Sequence, residues 1–367
     1  MRSKREYFAN LDMLRFLAAL WVVITHYGYI GPSMGVTGYN LTENSVAAVF
    51  FKYGYLGVPL FFILSGFVIS HVSVNSNGWK DAPQFMANRI SRLMPAFWAC
   101  MTISAIAIMI LGFSDAVSLK IWAANLILLP QALGQPFVDG VYWTLVLEFV
   151  FYGWVFLLIG FGVFHQNFLT VCGAWLAISF ANIFVLNSAI IEMVFITYYA
   201  GAFVAGMVIW HARGHGWSKQ HLALLLLAAA SLSLGIQDLG TQDHLANFNA
   251  APALWVTTLC SFFCIGAVFL GVYLKDIPVK KSFALALGAI SYPLYLLHQE
   301  AGYAVLRLTS EIGFDPLLVA STLTLFFIGL AYLVHVTLEK PIRAALVRIL
   351  DIILSLIPSK RTLQAAE

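Results

Sequence analysis

The 367-residue chain is 61% hydrophobic and only 10% charged, with a formal net charge of +3. Water-soluble globular proteins carry about 25% charged residues, so this composition excludes that class and indicates an integral membrane protein. The abundant Phe, Trp and Tyr suit helices better than the alternating pattern of a membrane barrel. The net charge by itself says nothing about nucleic acid, and no nucleic-acid partner is expected.

The predicted fold is an all-α integral membrane protein, a bundle of about ten transmembrane helices. About 20 apolar residues are needed to cross the roughly 30 Å hydrocarbon core of a bilayer. The stretches of sufficient length are 11–31, 54–74, 93–113, 141–162, 167–187, 189–210, 221–239, 252–274, 284–308 and 316–338. The first is predicted to be a retained signal anchor, because no small-residue cleavage site interrupts it. Leu119–Leu133 is too short and contains Pro130, so it is predicted to be interfacial or re-entrant.

The basic residues predict the orientation of this bundle. Alternate loops differ sharply: apart from Lys52, Lys120, Arg15 and Arg307, the Lys and Arg residues fall on one side. Because Lys and Arg concentrate in cytoplasmic loops, the N and C termini are both predicted to be cytoplasmic. Residues 1–343 then form a transmembrane domain, and residues 344–367 form a cytoplasmic C-terminal tail.

The first span, LDMLRFLAALWVVITH, keeps three polar groups. Asp12, Arg15 and His26 fall within roughly 60° of one another on one helix face, and Arg15 and His26 stand about 16 Å apart along the axis. Asp or Arg near the membrane centre costs roughly 2.5–3.5 kcal/mol, which favours a functional stripe. Two simpler explanations stay open: an interfacial ion pair between Asp12 and Arg15, and a structural, hydrogen-bonded His26.

The next two spans carry further polar positions. In FFILSGFVIS, Ser65 has an orienting role or, with Gly66, allows close contact between helices. In NRISRLMP, Arg89 and Arg92 lie three residues apart on the cytoplasmic lead-in to a span. Paired guanidinium groups there could bind phosphate, although ordinary charge that sets the topology explains them as well.

A carboxylate lies inside the fourth span, VYWTLVLEFVFYGW. Glu148 is seven residues into this span and shares a face with Tyr152. Because the span enters from the outside, Glu148 is predicted to lie in the same leaflet as His26, at a depth that permits a hydrogen bond between them. An isolated structural carboxylate there would be costly, so a functional role is favoured.

The ninth span, GAISYPLYLLHQE, has a polar stripe of its own. Ser291, Tyr295 and His298 lie within roughly 60° on one face, and Pro293 loosens the backbone between them. The closing segment LEKPIR is a weak signal by itself. The four cysteines lie in apolar segments without metal-ligand spacing, so they are predicted to pack in the core, and no metal site is expected.

Taken in order, these stretches resemble the acyltransferase-3 family of bacterial membrane enzymes, which acylate hydroxyls of surface carbohydrates and some small molecules. The resemblance covers residues 11–343. It rests on the LDMLR opening followed by His26, FFILSGF, the R-x-x-R pair, the segment from Trp143 to Tyr152, and SYPLYLLH. Three positions depart from the family pattern: Met13 replaces a common glycine, Thr144 a usual serine, and Phe149 a second glutamate found in many relatives.

The resemblance implies acyl-CoA, most often acetyl-CoA, as a cytoplasmic co-substrate, with no bound cofactor, and a carbohydrate acceptor at the outer side. His26 would be the base or the nucleophile, oriented by Glu148. The other implied roles are donor binding by Arg15, Arg89 and Arg92; acceptor or oxyanion binding by Tyr295, His298, Tyr152 and Trp143; and structural or orienting roles for Asp12, Ser65 and Ser291.

Other functions stay open from the sequence. A secondary transporter or a flippase of a lipid-linked sugar would also place ionisable groups in spans, although it would often show an internal repeat. A non-catalytic membrane partner would not need the in-span histidines and glutamate. The acceptor could equally be a small-molecule natural product, and the sequence does not separate a monomer from a homo-oligomer. The expected location is the lipid bilayer of a bacterial inner or plasma membrane.

Overall fold

The regular elements are helical throughout the residues that the structure describes. The computed structural model describes residues 7–37, 50–112, 117–239, 252–275 and 277–356. Of the predicted tail, residues 344–356 are described, and residues 357–367 lie outside the described residues. The α-helices are α1 Ala9–Thr25, α2 Gly31–Ser33, α3 Gly57–Val72, α4 Ala82–Ile110, α5 Leu119–Asn125, α6 Trp143–Gly160, α7 Val163–Gln166, α8 Phe168–Ala181, α9 Ala189–Phe195, α10 Ala200–His215, α11 Lys219–Leu239, α12 Leu254–Tyr273, α13 Lys281–Leu297, α14 Gln299–Ile312, α15 Pro316–Val334 and α16 Lys340–Ser355. The all-α prediction is confirmed over these residues.

Within the described residues, nine helical runs are long and apolar enough to cross a membrane, against ten predicted. These runs are Ala9–Ser33, Phe50–Val72, Ala82–Ile110, Gly140–Gly160, Phe168–Leu186, Ala189–His215, Lys219–Leu239, Leu254–Tyr273 and Pro316–Ser355. The chain is therefore a multi-pass membrane protein. The predicted span 284–308 accounts for the difference, because a break at His298 divides it into α13 and α14. At 1.5 Å per residue, the 17 residues of α13 cover about 25 Å, less than the hydrocarbon core.

Asp139 and Tyr142, which precede α6 in the chain, bind the backbone groups that the break at His298 leaves without a helical partner. The backbone N–H of Glu300 donates to the Asp139 carboxylate at 3.0 Å, and the Leu296 carbonyl accepts from the Tyr142 hydroxyl at 3.3 Å. In a continuous helix these two backbone groups would bond to each other. The sequence pattern could not show the break, because its partners lie 161 and 154 residues away along the chain.

The segment 119–133 does enter the helical bundle. The indole N–H of Trp98 donates to the Leu126 carbonyl at 3.0 Å, and the Trp122 indole donates to Thr102 at 3.1 Å. Trp98 lies 12 residues, or about 18 Å, from the end of α4 at Ile110. The segment therefore packs along α4 well away from that end, and its interfacial or re-entrant place in a membrane stays a prediction.

Glycines bring α3 and α10 into close contact. A Cβ added at Gly66 would lie 2.0 Å from the Phe203 carbonyl oxygen, and one at Gly206 would lie 1.9 Å from the Ile63 carbonyl oxygen. Both distances are too short for any side chain, so only glycine allows the two backbones to approach this closely. The predicted packing role of the Ser65-Gly66 pair is therefore confirmed at Gly66. α3 also packs against α1, and Ser65 lines the central cavity.

Candidate active site

A cavity of about 190 Å³ lies where α1, α3, α4, α6 and α13 converge. Within each helix, residues three or four positions apart face the same side, so the residues of one motif can line the cavity together. The predicted site residues that line this cavity are Arg15, Ser65, Arg89, Arg92, Glu148, Tyr152, Ser291 and Tyr295. Motifs from five separate helices are thus brought to one place.

Four arginines of the described residues line the cavity, from three different helices. Arg15, Arg89 and Arg92 were predicted, and Arg343 of α16 joins them. Arg15 donates to Asp12 at 3.1 Å, so the ion pair offered by the sequence is present, and Arg92 is among the electrostatic neighbours of Arg15. Guanidinium groups bind phosphate oxygens through two N–H groups, so this cluster suits a polyanionic ligand.

Sequence reasoning missed Arg343 because it ended the last span at residue 338. In the structure the helix continues through a π-helical segment, His335–Glu339, into α16, which packs against α4. His335 Nδ1 lies 2.7 Å from the Glu339 carboxylate, and both side chains line the cavity with Arg343. His335, Glu339 and Arg343 are each four residues apart and so share one helix face. This spacing is the sequence pattern that could have identified them.

The structure corrects the predicted pairing of Glu148 with His26. The Glu148 carboxylate accepts hydrogen bonds from the Ser65 hydroxyl at 2.9 Å and from the Tyr152 hydroxyl. Glu148 follows Thr144 by four residues in α6, which is about 6 Å or one helical turn. Thr144 is the residue of α6 whose hydroxyl contacts Tyr295, and Tyr295 lies next to His298. The predicted shared face of Glu148 and Tyr152 is confirmed, but this carboxylate belongs to the arginine cavity.

His26 pairs with the second in-span histidine instead. His298 Nε2 lies 3.0 Å from His26 Nδ1, and the ring centroids are 4.8 Å apart. His26 begins a π-helical segment, His26–Ile30, of the kind that often marks functional sites. His298 is completely buried at the break between α13 and α14, where its carbonyl accepts from the Tyr27 hydroxyl at 2.6 Å. His298, predicted to bind the acceptor or the oxyanion, is therefore a partner of His26.

Tyr295 connects the cavity to this histidine pair. Its side chain lines the cavity, and its ring centroid lies 5.8 Å from that of His298. The Tyr295 hydroxyl is 3.0 Å from the Thr144 hydroxyl and donates to the Val141 carbonyl at 3.3 Å. Thr144, which departs from the family's serine, thus keeps a hydroxyl at this position. Tyr295 and Thr144 together separate the arginine cavity from the two imidazoles.

Other predicted residues have structural contacts. Trp143 packs against the Tyr199 ring, with centroids 5.5 Å apart, instead of lining the cavity. Ser291 lines the cavity while its hydroxyl donates to the Gly288 carbonyl at 2.8 Å, and Asp12 occupies the space beside Gly288. Across the part of the chain that the structure describes, no group of three His, Cys, Asp or Glu side chains could hold a metal ion.

Asp139 is a further residue of this region that sequence reasoning treated only as part of an outer loop. It is fully buried and accepts from the N–H groups of Val141 at 3.1 Å and Glu300 at 3.0 Å. Burial, and next the nearby Glu300 carboxylate, raise the pKa of Asp139 to about 8. An Asp immediately before a helical turn is a common N-cap, and this pattern could have identified it.

Comparison with known proteins agrees with this architecture. The family model described as "Acyltransferase domain" matches residues 8–336. The "Exopolysaccharide production protein ExoZ" of Rhizobium meliloti (strain 1021) is 27% identical over 307 residues, which are 80% of this chain and 90% of that protein. "Nodulation protein 10" of Rhizobium leguminosarum bv. viciae is 25% identical over 166 residues, 39% of this chain; the match spans only 42% of that relative's length. No solved structure matches the chain.

Proposed function

Because the chain belongs to the acyltransferase-3 family and is an acyltransferase, we propose that it transfers an acyl group from acyl-CoA to a hydroxyl of a surface or exported carbohydrate. Acetyl is the simplest acyl group for this role. The observation that carries the proposal is the arginine-lined cavity, which ends at Tyr295 beside the pair of His26 and His298. ExoZ is named for exopolysaccharide production, which favours a polysaccharide acceptor.

The arginines provide the donor site in this proposal. Arg89, Arg92 and Arg343 bind the phosphates of CoA at the mouth of the cavity, and Arg15 lies along the path inward. The acyl-bearing arm of CoA is roughly 15–20 Å long from its bond geometry. Arg15 and His26 are separated by about 16 Å along the helix axis, so the arm is long enough to reach from Arg15 to the histidine. Tyr295 and Thr144, which separate the cavity from the imidazoles, have to move aside for the thioester to pass.

The histidine pair provides the chemistry. His26 removes the proton of the acceptor hydroxyl while its oxygen attacks the thioester carbonyl carbon. The carbon–sulfur bond then breaks, and the CoA thiolate takes the proton from His26. Tyr295 lies between the cavity and the histidine pair, and its hydroxyl, turned away from the Val141 carbonyl, binds the oxyanion in this proposal. Glu148, held by Ser65 and Tyr152, balances part of the positive charge of the donor cavity.

The membrane orientation follows from the distribution of Lys and Arg. We place the arginine mouth of the cavity and both termini at the cytoplasmic face of a bacterial plasma membrane, where acyl-CoA is present. The histidine pair then lies toward the outer face, where a carbohydrate would be presented. The two substrates thus approach from opposite compartments.

Transfer of radiolabel from acetyl-CoA to membrane carbohydrate tests the proposal. General-base catalysis contributes about 10²–10⁴-fold, so His26→Ala is expected to lose at least about 99% of turnover while the protein stays in the membrane. His215→Ala, an exposed histidine at the end of α10, is the matched control and should keep wild-type turnover. Absence of labelled carbohydrate with the wild type, or wild-type product with His26→Ala, would overturn the proposal.

A further inference from the structure

The contacts of the two imidazoles determine which nitrogens carry protons. His26 Nδ1 lies 3.0 Å from the Val22 carbonyl oxygen, and His298 Nδ1 lies 2.8 Å from the Tyr295 carbonyl oxygen. A carbonyl oxygen can only accept a hydrogen bond, so each Nδ1 must carry a proton. These two contacts are independent of each other and belong to different helices.

The contact between the rings fixes the remaining nitrogens. His298 Nε2 faces His26 Nδ1 at 3.0 Å, and two N–H donors cannot face each other at that distance. His298 Nε2 therefore carries a lone pair, and the single proton of His26 Nδ1 is shared between this lone pair and the Val22 carbonyl oxygen. The hydrogen-bonded chain runs from His26 Nδ1–H to His298 Nε2, and from His298 Nδ1–H to the Tyr295 carbonyl. His26 Nε2 is left as the basic nitrogen.

We propose that His298 is the positioning residue for His26, in the place that an aspartate or glutamate takes in many catalytic triads. This inference rests on the proposed function, in which His26 is the base. As the acceptor hydroxyl proton moves to His26 Nε2, the ring becomes an imidazolium whose Nδ1–H is already bonded to His298. When the thiolate takes the proton from Nε2, the pair returns to its starting state, so His298 neither gains nor loses a proton over the cycle.

A neutral partner distinguishes this pair from a carboxylate–histidine arrangement. An acidic partner would stabilise the His26 imidazolium by a full charge, whereas an imidazole partner only fixes the tautomer and the orientation of the ring. Glu148 is not the hydrogen-bond partner of His26, because its carboxylate lies in the arginine cavity and accepts from Ser65 and Tyr152. The titratable groups that contact the pair are Tyr27, Tyr295 and Tyr303. The charged neighbours of Tyr27 and Tyr303 are Asp139, Glu300 and Arg307.

Substitutions at residue 298 test the assignment in the full-length, membrane-embedded enzyme. His298→Ala is expected to lower kcat for acetyl transfer about 10- to 100-fold with little change in the KM for acetyl-CoA. His298→Gln, whose amide can accept from His26, should recover part of that loss. His298→Glu should recover it too, and its carboxylate should move the acidic limb of the pH–rate profile upward by about 1–3 pH units. A residue with only a structural role would not shift this profile.

Nitrogen NMR of ring-labelled histidine gives a second readout that does not depend on variants at residue 298. The His26 signal, identified by its loss in His26→Asn, should show Nδ1 protonated and Nε2 unprotonated at neutral pH. The opposite tautomer, wild-type kcat in His298→Ala, or an unshifted profile in an active His298→Glu enzyme would overturn the inference. If the wild type transfers no acetyl group, the proposed function fails, while the tautomer measurement still decides whether the pair is arranged as inferred.

Discussion

Arg343 allows a sharp test of the donor site, because its neighbour along the helix provides a control. Arg343 lines the arginine cavity, whereas Lys340 opens the same helix three residues earlier and is exposed. Arg343→Ala and Lys340→Ala each remove one positive charge from the same helix. Any effect through membrane orientation should therefore be equal in the two variants.

The expected size follows from the exposure of the side chain. A hydrogen bond to a charged group contributes about 1.5–3 kcal/mol, and Arg343 is exposed, so the lower end of that range applies. About 1.5 kcal/mol corresponds to roughly a tenfold change in binding. The phosphates of CoA lie far from the reacting carbonyl, so the contact is the same in the ground state and the transition state. Arg343→Ala should raise the KM for acetyl-CoA about tenfold and leave kcat unchanged.

Steady-state kinetics with varied acetyl-CoA and saturating acceptor measure this change. Lys340→Ala should keep the wild-type KM, and Arg343→Lys should lie between, because lysine keeps the charge but loses the planar pair of donors. An unchanged KM in Arg343→Ala, or an equal rise in Lys340→Ala, would refute the assignment of Arg343 to the donor site.

Two further substitutions test other parts of the site. Glu148→Gln keeps the side-chain volume but removes the negative charge of the carboxylate to which Ser65 and Tyr152 donate, so kcat/KM should fall about 10- to 100-fold. An unchanged kcat/KM would show that Glu148 has no role in the site. The pKa of Asp139 is raised in the folded protein, so the stability it contributes is complete below about pH 4 and is lost as the pH rises to about 8. Asp139→Asn should therefore reduce the drop in Tm between about pH 5 and 8 in detergent, and an identical drop in both proteins would contradict this.

Sequence periodicity predicted the helices and most of the cavity, because both depend on which side of a helix a residue faces. Arg15, Arg89 and Arg92 were expected to share a donor site, and they line one cavity. Glu148 was expected beside His26, but it lines this cavity too. The partners across helices were harder to predict. A span fixes the depth of a residue only to about one turn, and one turn is enough to move Glu148 from His26 to Ser65.

The histidine pair shows the same limit more clearly. His26 and His298 were both identified, but each was given a separate role, because they lie 272 residues apart along the chain. Their pairing needs the break after α13, which no hydropathy pattern shows. Arg343 was missed for a local reason: the π-helical segment carries the last helix beyond the apolar stretch that defined its predicted end.

The break at His298 is itself an argument for function. A backbone group without a partner in hydrocarbon costs several kcal/mol, and an unbroken α13 would satisfy its own N–H and carbonyl groups. The protein instead uses Tyr142 and the buried Asp139 to take over the bond between Leu296 and Glu300. Packing alone gains nothing from replacing one internal bond with two buried polar side chains. The gain lies in the position of the His298 ring, which the break leaves facing His26 at hydrogen-bonding distance.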